Sequence, residues 1–194
     1  MLRRAFDFFL FTSIYIAVCC VVMIYQSYLL FDIPVNWTFV FFAFSGTLCS
    51  YNFHWYLTPS LYGLAGKAAW SVQQKRAHAV LFMLGAVGAA YFGIQLLRYW
   101  EWLLATAFIT FLYSAPKIPY KSFRWLKNIA IGKTIFLAYS WTHVTAFLPI
   151  ELSDTTWDYA HYLFVINRFF LIYPICILFD LRDKEEDKRE GIRS

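Results

Sequence analysis

Charge is what this sequence has least of. Charged residues make up 15% of the chain, against about 25% in an ordinary soluble domain. That excludes a conventional water-soluble globule. The net charge of +5 is not a nucleic-acid footprint, because the basic residues sit in short loops between apolar segments. Cysteine is scarce as well. Cys19, Cys20, Cys49 and Cys176 all lie inside apolar segments, with no C-x-x-C and no histidine pair at metal spacing. This argues against a disulfide framework or a zinc site. The N-terminus has Arg3 and Arg4 before an apolar run, but the run reaches Phe31 without a small-residue cleavage site. It reads as a membrane helix rather than a leader. No internal repeat or broken-helix pair of the transporter kind is visible, which ranks a small transporter or channel last.

What is present is apolar: 60% of residues are hydrophobic and 22% are aromatic. Six segments approach the roughly 20 helical residues needed to cross about 30 Å of hydrocarbon. They run from Ala5 to Phe31, Val35 to Leu57, His78 to Leu97, Trp100 to Ala115, Asn128 to Leu148 and Tyr159 to Phe179. The expected fold is therefore an all-α, polytopic membrane helix bundle with six transmembrane helices. The third and fourth segments are joined by almost nothing, so they should form a tight hairpin. Arg3, Arg4, Lys67, Lys75, Arg76, Lys117, Lys121, Arg124, Lys127, Arg182, Lys184, Lys188, Arg189 and Arg193 all fall on one side of this layout. Across it stands only Arg98, while Lys133 and Arg168 lie within helices. Lysine and arginine accumulate on the cytoplasmic side, so both termini are expected there. Trp37, Trp55, Trp100, Trp102, Trp125 and Trp157 fall at helix ends, as an interfacial aromatic belt would.

Polar residues inside such helices carry most of the information. Ser45, Cys49, Asn52 and Tyr56 make one stripe on the second helix. Ser45 and Cys49 read as helix–helix contacts, and Asn52 stands near the cytoplasmic end. Arg168 is mid-helix, where an ionisable group is expensive and needs a partner or a water-filled cavity. Lys133 is near a helix end and can snorkel. The loop from Pro116 to Lys127 carries Lys117, Lys121, Arg124 and Lys127. It serves either as an anchor for lipid headgroups or as a basic wall for phosphoryl groups. His143 and His161 read as packed or interfacial.

The last stretch, FDLRDKEEDKREGIRS from Phe179, is the exception to the apolar rule. Asp180, Asp183 and Asp187 are three and four residues apart, within about 60° of arc on a helix. Three like charges on one face repel each other. A hard divalent cation bridging to a phosphate would reverse that. The i,i+4 pairs Asp180–Lys184 and Glu185–Arg189 fit a solvated helix end too, each contributing about 0.2–0.5 kcal/mol.

This D-x-x-D-x-x-x-D run followed by Gly191-Ile192-Arg193-Ser194 closely resembles the second Asp-rich motif of the UbiA superfamily of membrane prenyltransferases. Tyr113-Ser114-Ala115-Pro116, with Lys121 and Asn128 after it, resembles that family's connection between helices four and five. The resemblance implies one UbiA-like transmembrane domain over residues 1–194 with a central cavity, in a bacterial inner membrane. It implies Mg²⁺ held by Asp180, Asp183 and Asp187, and an isoprenyl diphosphate contacted by Asn52, Lys121 and Asn128. Tyr56, Tyr113 and Arg168 are further cavity candidates. The implied reaction is transfer of the isoprenyl group to an aromatic or quinone-precursor acceptor.

Two departures qualify the match. The family's first motif, N-D-x-x-D-x-x-x-D, should end helix two. Here only Asn52 fits, while Phe53, Tyr56 and Ser60 stand where carboxylates would be. Family members also continue for several helices beyond the second motif, so a further segment, partner chain or oligomer is expected to close the bundle. The rival expectation is a catalytically degenerate relative acting in lipid binding or assembly.

Overall fold

The computed structural model describes residues 2–57, 70, 74–114 and 130–189. For residues 2–5, 112–114, 130–133 and 182–189 it describes the backbone alone. All regular structure among the described residues is helical. The helices are α1 (Leu2–Phe11), α2 (Ile14–Leu30), α3 (Trp37–Tyr56), α4 (Lys75–Gln95), α5 (Trp100–Ser114), α6 (Ala130–Thr142), α7 (Leu148–Glu151) and α8 (Tyr159–Arg189).

The first expected span is broken. Ser13 adopts a left-handed conformation, φ 64° and ψ 12°, and separates α1 from α2. Thr12 Oγ1 donates to the Phe8 carbonyl at 2.6 Å. Adjacent hydroxyls that hydrogen-bond locally offer the backbone an alternative to the helical ladder, which apolar periodicity alone does not reveal. The third and fourth expected helices are joined as closely as expected, but they do not pack along each other as a hairpin: α4 lies along α3, and α5 against α6. A single 3₁₀ turn, Leu97–Tyr99, runs straight into Trp100.

α3 starts where Asn36 Oδ1 accepts a hydrogen bond from the Phe39 amide at 3.1 Å, an ordinary N-cap. It packs along α4 through small residues. A Cβ on Gly85 would meet the Cys49 amide nitrogen at 2.6 Å and the Ser45 carbonyl at 2.8 Å. On Gly88 it would meet Ser45 Oγ at 2.6 Å. Small residues let two backbones approach this closely, so the stripe on α3 is in part a packing stripe.

Beyond α6 the chain passes through one π-helical turn, His143–Phe147, into α7. Pro149 explains it. Its missing N–H leaves the carbonyl four residues earlier, that of Thr145, without a helical donor, and its ring crowds that carbonyl. Ser27 of α2 supplies the donor instead, with Oγ 2.6 Å from the Thr145 oxygen. A sequence-local defect is thus repaired by a contact 118 residues away.

The main core lies between α2, α3, the π turn and α7, around Ile24, Tyr28, Phe39, Leu148 and Ile150. A smaller cluster joins α6 to α8 through Ala138, Ile172 and Cys176. α8 does not stop at Phe179, where the apolar span ends, but continues as one helix to Arg189, with Pro174 inside it. Among the described residues, two helical stretches are long and apolar enough to cross a membrane, Lys75–Gln95 and Tyr159–Leu181. Only 11% and 17% of them, respectively, is buried in the protein, far less than a core helix of a soluble domain. Their outward faces are apolar, with Leu84, Val87 and Ile94 on α4 and Ile166, Phe170 and Leu178 on α8 all exposed.

Candidate functional site

Asn52 sits one turn from the end of α3 and is fully buried. Its amide is fixed at both ends. Nδ2 donates to the Leu48 carbonyl at 2.8 Å, and Oδ1 lies 2.7 Å from His78 Nδ1. Since the amide nitrogen is turned to Leu48, the oxygen faces His78, so Nδ1 must carry the hydrogen. Neutral His78 is then the Nδ1–H tautomer, with its lone pair on Nε2. His78 is also fully buried. Trp70 covers it edge-on, with ring centroids 5.8 Å apart and an interplanar angle of 88°. Phe8 and Phe11 of α1 pack on the other rim of Trp70 at 6.1 and 5.6 Å. His78 was visible in the sequence only as the start of a helix. The missed signal was its depth, level with Asn52 on the antiparallel neighbour.

The other residues expected at this end behave differently. Phe53, where the family pattern has a carboxylate, stacks on Phe82 of α4 at 5.2 Å. Tyr56 is 46% exposed and does not point into the packed interior. Asp180 is half-buried on α8. Asp183 and Asp187 lie on the same unbroken helix, and their side chains are outside the described residues, as is that of Tyr113 on α5. Lys121 and Asn128 fall outside the described residues altogether. Asn52 and Asp180 are not hydrogen-bonded to each other, because the Asn52 amide is taken up by Leu48 and His78. Among the described side chains no group of three metal-ligating residues is gathered.

Arg168 makes a second polar pair, between α8 and α2, with the arginine buried and Gln26 exposed. The arginine is 5% exposed. Its Nη2 donates to Gln26 Oε1 at 3.0 Å, and its guanidinium carbon stands 4.9 Å from the centroid of the Phe164 ring. A hydrogen bond to a charged donor contributes about 1.5–3 kcal/mol, and a desolvated cation–π contact about 2. These offset only part of the several kcal/mol that burying a cation costs. Among the described residues no carboxylate lies within ion-pair distance of Arg168; the carboxylate pairs formed there are Arg98–Asp154 and His161–Asp158.

A third interior contact, Trp141 Nε1 to Tyr51 Oη at 3.0 Å, ties α6 to α3. At the far end Asp158 caps α8, accepting from the His161 amide at 3.1 Å. That bond and the adjacent imidazole hold the Asp158 carboxyl below the usual carboxylate range. No family model, no curated protein and no solved structure matches this chain.

Proposed function

We propose that this chain is a six-span membrane protein that binds an isoprenyl diphosphate at the end of α8 and transfers its isoprenyl group to an aromatic or quinone-precursor acceptor, in the manner of UbiA-type prenyltransferases. The observation behind this reading is the continuity of α8. It runs without a break from the apolar span Tyr159–Leu181 through the charged tail to Arg189. On an unbroken helix Asp180, Asp183 and Asp187 keep one face over about 10 Å of axis.

The chemistry of this donor set fits Mg²⁺: three hard carboxylates on one helical face, backed by half-buried Asp180. Asp180, Asp183 and Asp187 would hold the ion, whose contribution is to neutralise charge on the departing diphosphate. Lys121 and Asn128 would bind the diphosphate oxygens, and their positive charge and amide donors lower the energy of the same leaving group. Apolar, aromatic walls keep water from the allylic carbon. The bond from that carbon to the diphosphate oxygen breaks, the acceptor carbon takes its place, and the acceptor loses a proton. The six spans rest on the lengths of the apolar segments, and the cytoplasmic placement of both termini on the basic-residue bias. The membrane itself is supported by the two long apolar helices and their exposed faces.

A second reading is favoured by α3. Phe53 is locked in a stack with Phe82 and Tyr56 faces outward, so α3 offers no opposing carboxylates. A protein that holds the diphosphate without turning it over would look the same at α8. Two measurements on the full chain in lipid nanodiscs separate these readings. Mg²⁺-dependent binding of a radiolabelled isoprenyl diphosphate should be abolished by Asp183→Ala, and undiminished binding sinks the site. Product formation with a panel of aromatic acceptors then decides between transfer and binding alone.

A further inference from the structure

The sequence holds twelve aspartates and glutamates, and they account for every possible side-chain counter-ion of Arg168. Asp7, Asp32, Glu101, Glu151, Asp154, Asp158 and Asp180 are described with their side chains, and none pairs with it. Asp183, Glu185, Glu186 and Asp187 lie on the same helix, at least fifteen residues on, or more than about 20 Å along its axis. Glu190 lies outside the described residues. Arginine keeps its proton under all ordinary conditions, so the charge is permanent. Of five guanidinium N–H donors, one is matched to Gln26. Gln26 itself is exposed, between exposed Val22, Tyr25 and Leu29 on the outer face of α2. The cation itself is 5% exposed, and its partner Gln26 is the member of the pair that reaches the apolar surface of the protein.

We propose that Arg168 and Gln26 form a binding site for the oxyanion head of a bilayer amphiphile, entering sideways between α2 and α8. A planar guanidinium fork matches a carboxylate or a phosphate in two-pronged geometry. Gln26 keeps its amide NH₂ free to donate to the same head while its oxygen positions the guanidinium. The tail lies along Val22, Tyr25 and Leu29. A single cation calls for a single negative charge, as on a fatty carboxylate or a phosphodiester lipid. The site is about 18 Å of helix axis from Asp180 and independent of the diphosphate reading.

Native mass spectrometry of the full chain tests this. The protein is released from micelles holding phosphatidylcholine, phosphatidylglycerol and oleate in equal amounts. One retained anionic adduct per chain is expected, and its mass tells the phosphodiester from the carboxylate. Arg168→Gln should lower its occupancy about tenfold or more. Gln26→Glu, at an exposed position, supplies an internal counter-ion and should displace the adduct equally. It carries the test if Arg168→Gln fails to fold. Retention of phosphatidylcholine to the same extent, no anionic adduct on the wild type, or undiminished occupancy in Gln26→Glu overturns the proposal.

Discussion

Asn52–His78 and Gln26–Arg168 are both polar pairs joining two helices of an apolar bundle, yet they are solved in opposite ways. In the first, Asn52 spends its oxygen on His78 and its nitrogen on Leu48. Both residues are fully enclosed. The second carries a charge that no carboxylate among the described residues meets, and one member of it is exposed. An enclosed pair whose amide is fixed at both ends is a structural fastening. A charged pair left open is a position kept for something else, because burying a lone cation is otherwise a net loss.

Apolar replacement breaks the comparison most directly. In Asn52→Leu the Nδ1–H of His78 loses its acceptor in an enclosed position, so stability should fall by about 1–3 kcal/mol. In Arg168→Met a costly charge is replaced by a side chain of similar reach, and stability should hold or rise by about 1–4 kcal/mol. Denaturant titration of both variants in the same detergent measures the two signs. A loss in Arg168→Met as large as that in Asn52→Leu would falsify the distinction between fastening and open site.

How far the sequence discloses these features depends on how local their causes are. The apolar segments, the tight connection at Leu97–Tyr99 and the N-cap at Asn36 follow from neighbouring residues, and they are legible. The polar stripe on α3 is legible too, but it divides into a packing part, Ser45 and Cys49, and a hydrogen-bonding part, Asn52. That division appears only once Gly85, Gly88 and His78 stand opposite. The break at Ser13 is not legible, because it turns on backbone conformation rather than on apolar periodicity, and the π turn before Pro149 is legible only as a proline, since the donor that satisfies Thr145 comes from Ser27. Arg168 announces itself as a charge in an apolar run, whereas the lack of a counter-ion among the described residues is seen only once their carboxylates are placed. The Asp-rich face is read equally well from spacing and from the helix that carries it.

The packing part of the α3 stripe sharpens the comparison at lower amplitude. Gly85→Ala puts a methyl within 2.6 Å of the Cys49 backbone nitrogen, so the α3–α4 pair must move apart, at about 1–3 kcal/mol. The same shift stretches the Asn52–His78 contact on the same helix pair, and should leave Arg168 and Gln26, on other helices, unaffected. Gly46→Ala is the control: nothing stands within 4 Å of the new atom, and replacing a mid-helix glycine should stabilise by up to about 1 kcal/mol. Thermal melts of both variants check the pair of signs, and equal shifts would rule out close backbone approach as the reason for Gly85.

The smallest effect belongs to a third polar pair, Asp158 and His161, which is neither enclosed nor open inward but sits at the solvent end of α8. Asp158 accepts from the His161 amide, and this, with the adjacent imidazole 2.6 Å away, holds the carboxyl below its ordinary range. A depressed folded-state pKa means that the cap's contribution is fully present above the unfolded value of about 3.9. It is lost as pH falls through the lower folded value. The first turn of α8 should therefore loosen as pH falls below about 4, while Gln26–Arg168 does not respond, since arginine does not titrate there. Asp158→Asn keeps an N-cap acceptor and removes the proton, so its melting temperature should fall less steeply over that window than the wild type's. Parallel slopes for the two proteins would mean that the carboxyl's ionisation does not hold the helix end.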